Sequence, residues 1–396
     1  MGRCAAVTVS VAMAVSAFAC GPGEAEQLAV AARDSAGIRI VESAATARSP
    51  IDWRLATEPH WVVGELQGDA PYLLSRVEGA MEVAEGEIVI ANGDTNELRF
   101  FDEEGRWTRS LGGEGEGPGE FQYLRALGPC DPEGFVAFDL NWQRNTYRMD
   151  GTFVEKTVLT APSGVTPYSL ACDAEGNFMI LGWGRAIGDG PILGFYQAHD
   201  RLVLAGDDGE VAVEFGRRLV SERIGTRGGS RPHPAGRATR FALHAGLAYV
   251  GSGERFEVEV WSLDGTLLSL IRGPQVSLEV TDSVRTAYLD AQLAAADPGR
   301  RAALRSSIGE WEWPEQLPAF TDLRLDGSGA IWAKRFTVLD DEPETWSILD
   351  AERAYLGDLQ LGAGQRLLGF GEDYLLVLLT DELGVESVAK LALDRG

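Results

Sequence analysis

Six times along the chain a glycine opens a short run of alternating apolar character: GEIVIA from Gly86, GFVAFD from Gly134, GNFMIL from Gly176, GLAYVG from Gly246, GAIWAK from Gly329 and GEDYLLVL from Gly371. Each run is followed by a second, acidic turn, at Asp102, Asp150, Asp207-Asp208-Gly209, Asp264-Gly265, Asp350 and Asp394. Gly64 and Gly112, Gly86 and Gly134, and Asp102 and Asp150 each stand 48 residues apart. Self-similarity at such a period marks a repeat architecture, in which one unit cannot bury its faces alone. Between Val77 and Leu111 the unit reads as four short strands separated by turn residues, one antiparallel meander. Six four-stranded sheets that must cover one another's faces predict an all-β, six-bladed β-propeller.

The stretch LGGEGEGPGEF, Leu111 to Phe121, tests the obvious rival. It matches neither the dinucleotide fingerprint nor the P-loop, and Glu114, Glu116 and Glu120 would repel a phosphate. Its place in the repeat makes it the crossing from the outer strand of one blade to the innermost strand of the next, with glycine supplying the unusual dihedrals. The last unit stops three strands in, because only Arg395 and Gly396 follow Asp394. The segment around RLATEPHWVVGE, before the first full unit, supplies an orphan strand that can complete the last blade and leave no edge there. GIRIVES offers a further apolar run; irregular packing of this N-terminal segment outside the ring is the alternative.

The repeat is broken between Val276 and Ile308 by a sequence rich in Ala, Leu and Arg. Val284, Tyr288 and Ala291 recur at helical spacing, Thr281 or Asp282 can cap one helix, and Asp297-Pro298 suits the start of a second. The spacing therefore predicts a helical insertion over 276–310, between blades four and five.

The N-terminus carries one Arg, an apolar stretch from Ala5 to Ala19, and Ala17-Phe18-Ala19 before Cys20. That is an export signal, too short to span a bilayer. The four residues resemble a bacterial lipobox with Ala17 where Leu is usual, which implies lipidation of Cys20; a plain signal cut after Ala19 is the alternative. The organisation expected is a signal peptide at 1–19, a lipid-anchor tether at 20–36 and a propeller at 37–396. The address is the cell envelope, the protein being held on a bacterial membrane facing the periplasm or exterior, as for an outer-membrane lipoprotein, or else secreted. Export permits a disulfide between Cys130 and Cys172. Each lies four residues before its turn glycine, at one height on consecutive innermost strands; two buried free thiols are the other outcome.

A formal charge of −25, from 35 basic and 60 acidic residues, excludes a nucleic-acid partner, since phosphate backbones are held by dense Lys and Arg. It suits a soluble, monomeric exported protein.

The repeats resemble NHL-type propellers, with ANGDTNELRFFDEEG and the glycine-rich loop carrying the likeness. DSAGIRIVES, GEGPGEF, LPAFTDLRLDGSGAIW and DELGVESV are similar to a family of bacterial six-bladed propeller lipoproteins. The resemblance spans about Asp34 to Gly396 and implies the fold; it brings no catalytic signature.

In such a ring the fourth-to-first and second-to-third connections share one face, the default binding surface. Asp94, Asn96, Glu114, Glu116, Asn141, Trp142, Arg144, Trp183, Arg185, Arg231, His233, Trp311 and Trp313 fall there. Trp142 with Arg144, and Trp183 with Arg185, pair a ring with a guanidinium that can stack on a planar or acidic ligand; His233 joins them as a candidate. The alternative is that these tryptophans seal gaps between blades. The function expected is non-catalytic binding of a protein or small ligand on this face, with no cofactor required. A likeness to gluconolactonase and regucalcin implies a second reading, a metal-dependent lactonase with a divalent cation in the channel near Glu78 and Asp322. A scaffold in an envelope assembly is the third, and a channel mouth plugged by the helical insertion would favour it.

Overall fold

The computed structural model describes residues 30–43, 51–131, 133–139, 142–183, 192–206, 208–226, 229–274, 277–338, 342–350, 352 and 354–396. Cys20, the signal segment, Asn141 and Arg185 lie outside the described residues. Six sheets follow one another along the chain. Sheet one is Val77–Glu82, Ile88–Asn92, Glu97–Phe101 and Trp107–Gly112. Sheet two is Leu124–Asp131, Gly134–Asp139, Gln143–Arg148 and Phe153–Val158. Sheet three begins with Pro167–Cys172 and Phe178–Gly182, continues into a long hairpin, Gly194–Ala205 and Val211–Thr226, and ends on Gly229–Pro232. Sheet four is built on Arg240–His244, Leu247–Gly251, Glu257–Ser262 and Leu267–Arg272. Sheet five is Asp322–Leu325, Ile331–Lys334, Thr345–Leu349 and Tyr355–Gln360. Sheet six is Gln365–Phe370, Tyr374–Thr380 and Glu386–Asp394.

The first strands stand side by side around a channel, one after another, with that of sheet six against that of sheet one. Between sheets five and six the link is polar: Arg324 Nη1 donates to the carbonyls of Leu367 and Leu368 at 3.1 and 3.2 Å. Six buried clusters fill the seams, each drawn from two neighbouring sheets. Ile88, Ile90 and Phe101 of sheet one, for example, pack on Leu376 and Val388 of sheet six. Alternation inside each strand explains this: successive side chains point to opposite faces, and both faces are covered, which is why second strands such as Gly134–Asp139 are buried throughout. The arrangement is a β-propeller.

Trp61–Val63 and Arg54–Leu55 pair antiparallel with Glu386–Asp394, so N-terminal strands complete sheet six. The stretch GIRIVES does something different. Ile38–Ser43 lies parallel to Leu267–Arg272 on the outer edge of sheet four, and Val30–Ser35 folds back on it. Residues 30–35, expected within the 20–36 tether, thus form an edge strand, because a β-ladder satisfies backbone groups whatever the side chains.

The insertion forms helix α1, Asp282–Ala295, and helix α2, Arg301–Gly309. Thr281 caps α1 by accepting from the Val284 N–H. Asp297 flanks a 3-10 turn at Pro298–Arg300 that leads into α2 and makes no side-chain cap. Among the described residues no helix is long and apolar enough to cross a membrane.

The loop LGGEGEGPGEF is a folded crossing. Phe121 is fully buried, and Lys156 Nζ donates to the carbonyls of Glu116, Gly117 and Glu120. Gly112 sits at φ 92°, where an added Cβ would meet Asn96 O at 2.9 Å and the Phe121 ring at 3.0 Å.

Candidate functional site: an acid-rimmed channel

Antiparallel sheets put the crossings and second-to-third loops on one face of the ring, the loop face, and the first-to-second turns on the other, the turn face. Of the residues singled out on the loop face, Arg231, His233, Trp311 and Trp313 meet at one joint, while Trp142, Arg144 and Trp183 stand apart from it. Arg144 is buried, donates Nε to Thr157 Oγ1 at 2.8 Å and lies 5.0 Å from the Phe178 ring centre of the next sheet. Trp142 adopts φ 58° and packs against the seam between sheets two and three. Both seal the gap between blades. Trp183 is 48% exposed, with its ring edge-on to Tyr168 at 4.9 Å. Its guanidinium neighbour is the buried Arg223, 5.3 Å above the ring, itself bonded to Ser221 and Ser230.

His233 occupies a different setting. It is buried where the long hairpin of sheet three meets the helical insertion, 5.0 Å from Trp313 and 6.0 Å from Trp311 and from Phe195. Tyr288 of α1 packs on both tryptophans. The His233 Nδ1 accepts the Ala235 N–H at 3.0 Å, which leaves the ring neutral with its proton on Nε2, a buried atom with no hydrogen-bond partner among the described residues. Burial pushes this imidazole down to about 4, with Glu222 opposing the shift and Arg231 adding to it. Glu222 beside it is buried as well. Burial would raise its carboxyl, but hydrogen bonds from Arg237 and Gln197 outweigh that and hold it below the ordinary value. This is an apolar joint fixing one insertion to another.

The large concavity is the channel. A cavity of 720 Å³ is walled by Met81, Leu127, Phe241, Leu325, Leu368 and Phe370 from the first strands, and Cys172 also borders it. Cys130 and Cys172 are joined there as a disulfide between sheets two and three, with Cα atoms 5.2 Å apart. The cavity extends to the turn face, since the turn residues Asp173–Glu175, His244–Ala245 and Asp326–Gly327 line it. Among the described residues none of the helical insertion does.

Towards the loop face the first strands carry charged groups. Glu78 pairs with Arg76 at 3.4 Å; burial lifts its carboxyl above the ordinary value, while Arg76, Arg125 and Arg366 pull it down and Glu386 pushes it up. Asp322 accepts from Arg324 Nε at 2.9 Å. Its position deep in the molecule would raise its carboxyl, but Arg324, Arg240 and the Leu323 N–H hold it low; because it lines the channel its side chain still keeps 37% of its exposure. A divalent cation at Glu78 or Asp322 would meet guanidinium groups, so these residues do not fit the lactonase-type metal. Among the described residues no group of three His, Cys, Asp or Glu stands close enough to hold one.

No protein-family model and no curated protein matches the chain. Among solved structures it is similar to a protein of Bacteroides fragilis whose name marks it for export, at 11% identity and TM-score 0.48 over 86% of this chain and 94% of that one. A member of the DUF4221 family from Bacteroides vulgatus gives 10% and 0.49 over 88% and 100%. Virginiamycin B lyase from Staphylococcus aureus gives 9% and 0.40 over 83% and 86%. At these identities none of them says what this chain binds; the β-propeller is read from its own sheets and the channel they enclose.

The channel wall was the part hidden from sequence reasoning. The sequence places the first strands innermost, but Phe241, Leu325 and Phe370 stand on strands that carry no glycine signature, so which of their side chains line the channel is read only from the fold. Phe195 and Tyr288 of the joint sit in insertions where the repeat offers no register.

Proposed function

We propose that this chain is an exported, six-bladed propeller, tethered through a lipid on Cys20, whose role is to bind a small organic ligand in its channel without transforming it. The observation that carries this reading is the cavity itself, 720 Å³ with an apolar wall and charged groups at both ends. That size and lining are those of a ligand pocket rather than of a packed ring centre. Six sheets, each sharing a buried seam with the next, support the blade count.

The test is a thermal-shift screen of small organic compounds on the wild type beside Ala171→Phe and Ala242→Phe, two substitutions that add bulk at small wall positions. Channel ligands raise the wild-type midpoint and leave both variants unmoved. Compounds that stabilise all three equally would refute the channel as the site.

A second reading, a protein docked on the loop face, is favoured by one feature, the exposed Trp183 ring with Arg223 above it. Trp183→Ala would then lose the partner and keep every channel ligand.

A further inference from the structure

The charges around the channel are unequal in how they are used. Arg324, the one arginine in its wall, is consumed by the fold: Nε goes to Asp322 and Nη1 to two carbonyls of sheet six. Asp326 is likewise answered, by Arg395 Nη2 at 3.0 Å and the Trp332 indole N–H. Three wall carboxylates have no cationic partner among the described residues. Glu82 accepts the Tyr374 hydroxyl at 2.6 Å, Asp173 is buried with both carboxylate oxygens bonded by Asn177, and Glu175 is exposed at the rim; among the described residues none of the three has an ion-pair partner. They stand on two sides of the turn-face mouth, with Glu82 ending the first strand of sheet one and Asp173 and Glu175 in the first turn of sheet three.

Behind this rim the wall is apolar and partly aromatic. Phe241 and Phe370 line it with the soft side chains of Met81 and Met149. Low-dielectric walls focus the field of the rim carboxylates into the cavity, which lowers the energy of a cation there and raises that of an anion. Aromatic faces add quadrupole attraction for ammonium groups.

We infer that the channel takes an organic cation, an amine on an apolar body, with its ammonium group between Glu82 and Glu175 at the rim, the buried Asp173 charge behind it, and its body against Phe241, Leu325 and Phe370. The inference rests on the channel being the ligand site. It explains why Glu82, Asp173 and Glu175 carry no counter-cation at the mouth of an apolar cavity while Asp322 and Asp326 are paired with arginines.

Calorimetric titration with three probes sharing one naphthalene body separates the two claims: 2-naphthylmethylammonium, 2-naphthylmethanol and 2-naphthylacetate. The ammonium binds roughly tenfold or more tightly than the acetate at low salt, with the alcohol between them, and the gap shrinks at high salt. Glu82→Gln with Glu175→Gln removes most of that gap and leaves the alcohol's affinity unchanged. Both residues are partly exposed, so the double variant retains the wild-type far-ultraviolet circular dichroism. An acetate or alcohol that matches the ammonium, with all binding lost in Ala171→Phe and Ala242→Phe, overturns the cation and leaves the channel standing. Failure of all three probes to bind, or binding that survives both channel-filling variants, overturns the channel reading and the inference together.

Discussion

Asp322 and Arg324, two residues apart on the first strand of sheet five, pair at 2.9 Å inside the channel while Arg324 also clasps the backbone of sheet six. The pair therefore does two jobs, since it makes a polar link between the first strands of sheets five and six and holds Arg324 away from ligand binding. Arg324→Met is expected to cost about 2 kcal/mol, discounted because both side chains keep contact with water in the channel. Chemical denaturation measures it, and an unchanged midpoint would show that the clasp contributes nothing.

The disulfide ties neighbouring sheets early in the chain, with Cys130 and Cys172 separated by 42 residues. Closing a loop of that length restricts the unfolded chain by roughly 3 to 4 kcal/mol. Cys130→Ser with Cys172→Ser is expected to lower stability by about that amount. Mass spectrometry of protein taken directly from the envelope, alkylated without reduction, should find both residues unmodified; two alkylated thiols would refute the bridge in the cell.

His233 gives the fold a pH dependence of known sign. Its folded value, about 4, lies below the ordinary 6.5, so between those values the unfolded chain binds more protons and stability falls with falling pH, levelling off below 4. The loss is on the order of 3 kcal/mol. His233→Asn keeps an acceptor for the Ala235 N–H and does not titrate, so denaturation midpoints measured between pH 7 and about 4 should lose this slope. An identical slope in wild type and variant would mean that the joint opens and solvates the imidazole.

Glu222 is the buried anion of the same region, bonded by Arg237 Nη2 at 2.6 Å and by the Arg237 backbone N–H at 2.8 Å. Glu222→Gln leaves Arg237 half answered and is expected to cost about 3 kcal/mol, since breaking a buried pair strands a charge. Equilibrium unfolding at neutral pH reads it, and a change below about 1 kcal/mol would show that water reaches the site.

Much of the propeller was legible because second strands are buried on both faces and end in tight turns, so Gly86-Ile90 and Gly134-Phe138 carry glycine and apolar residues at fixed offsets. The closure of sheet six by Trp61–Val63 followed from counting strands. The parallel addition of Ile38–Ser43 to sheet four could not be read, because an edge pairing is made by backbone groups and leaves no side-chain pattern. The site was harder still. A Trp beside an Arg looks the same in sequence whether it seals a seam, as Trp142 and Arg144 do, or meets solvent, as Trp183 does. Only burial separates the two.

Where the ligand sits is decided most directly by the anomalous diffraction of crystals soaked with 6-bromo-2-naphthylmethylammonium. A bromine peak inside the channel, bounded by Phe241, Leu325 and Phe370, is the predicted result. A peak beside Trp183 on the loop face, or none in the channel at a concentration that saturates the protein in solution, would contradict the account.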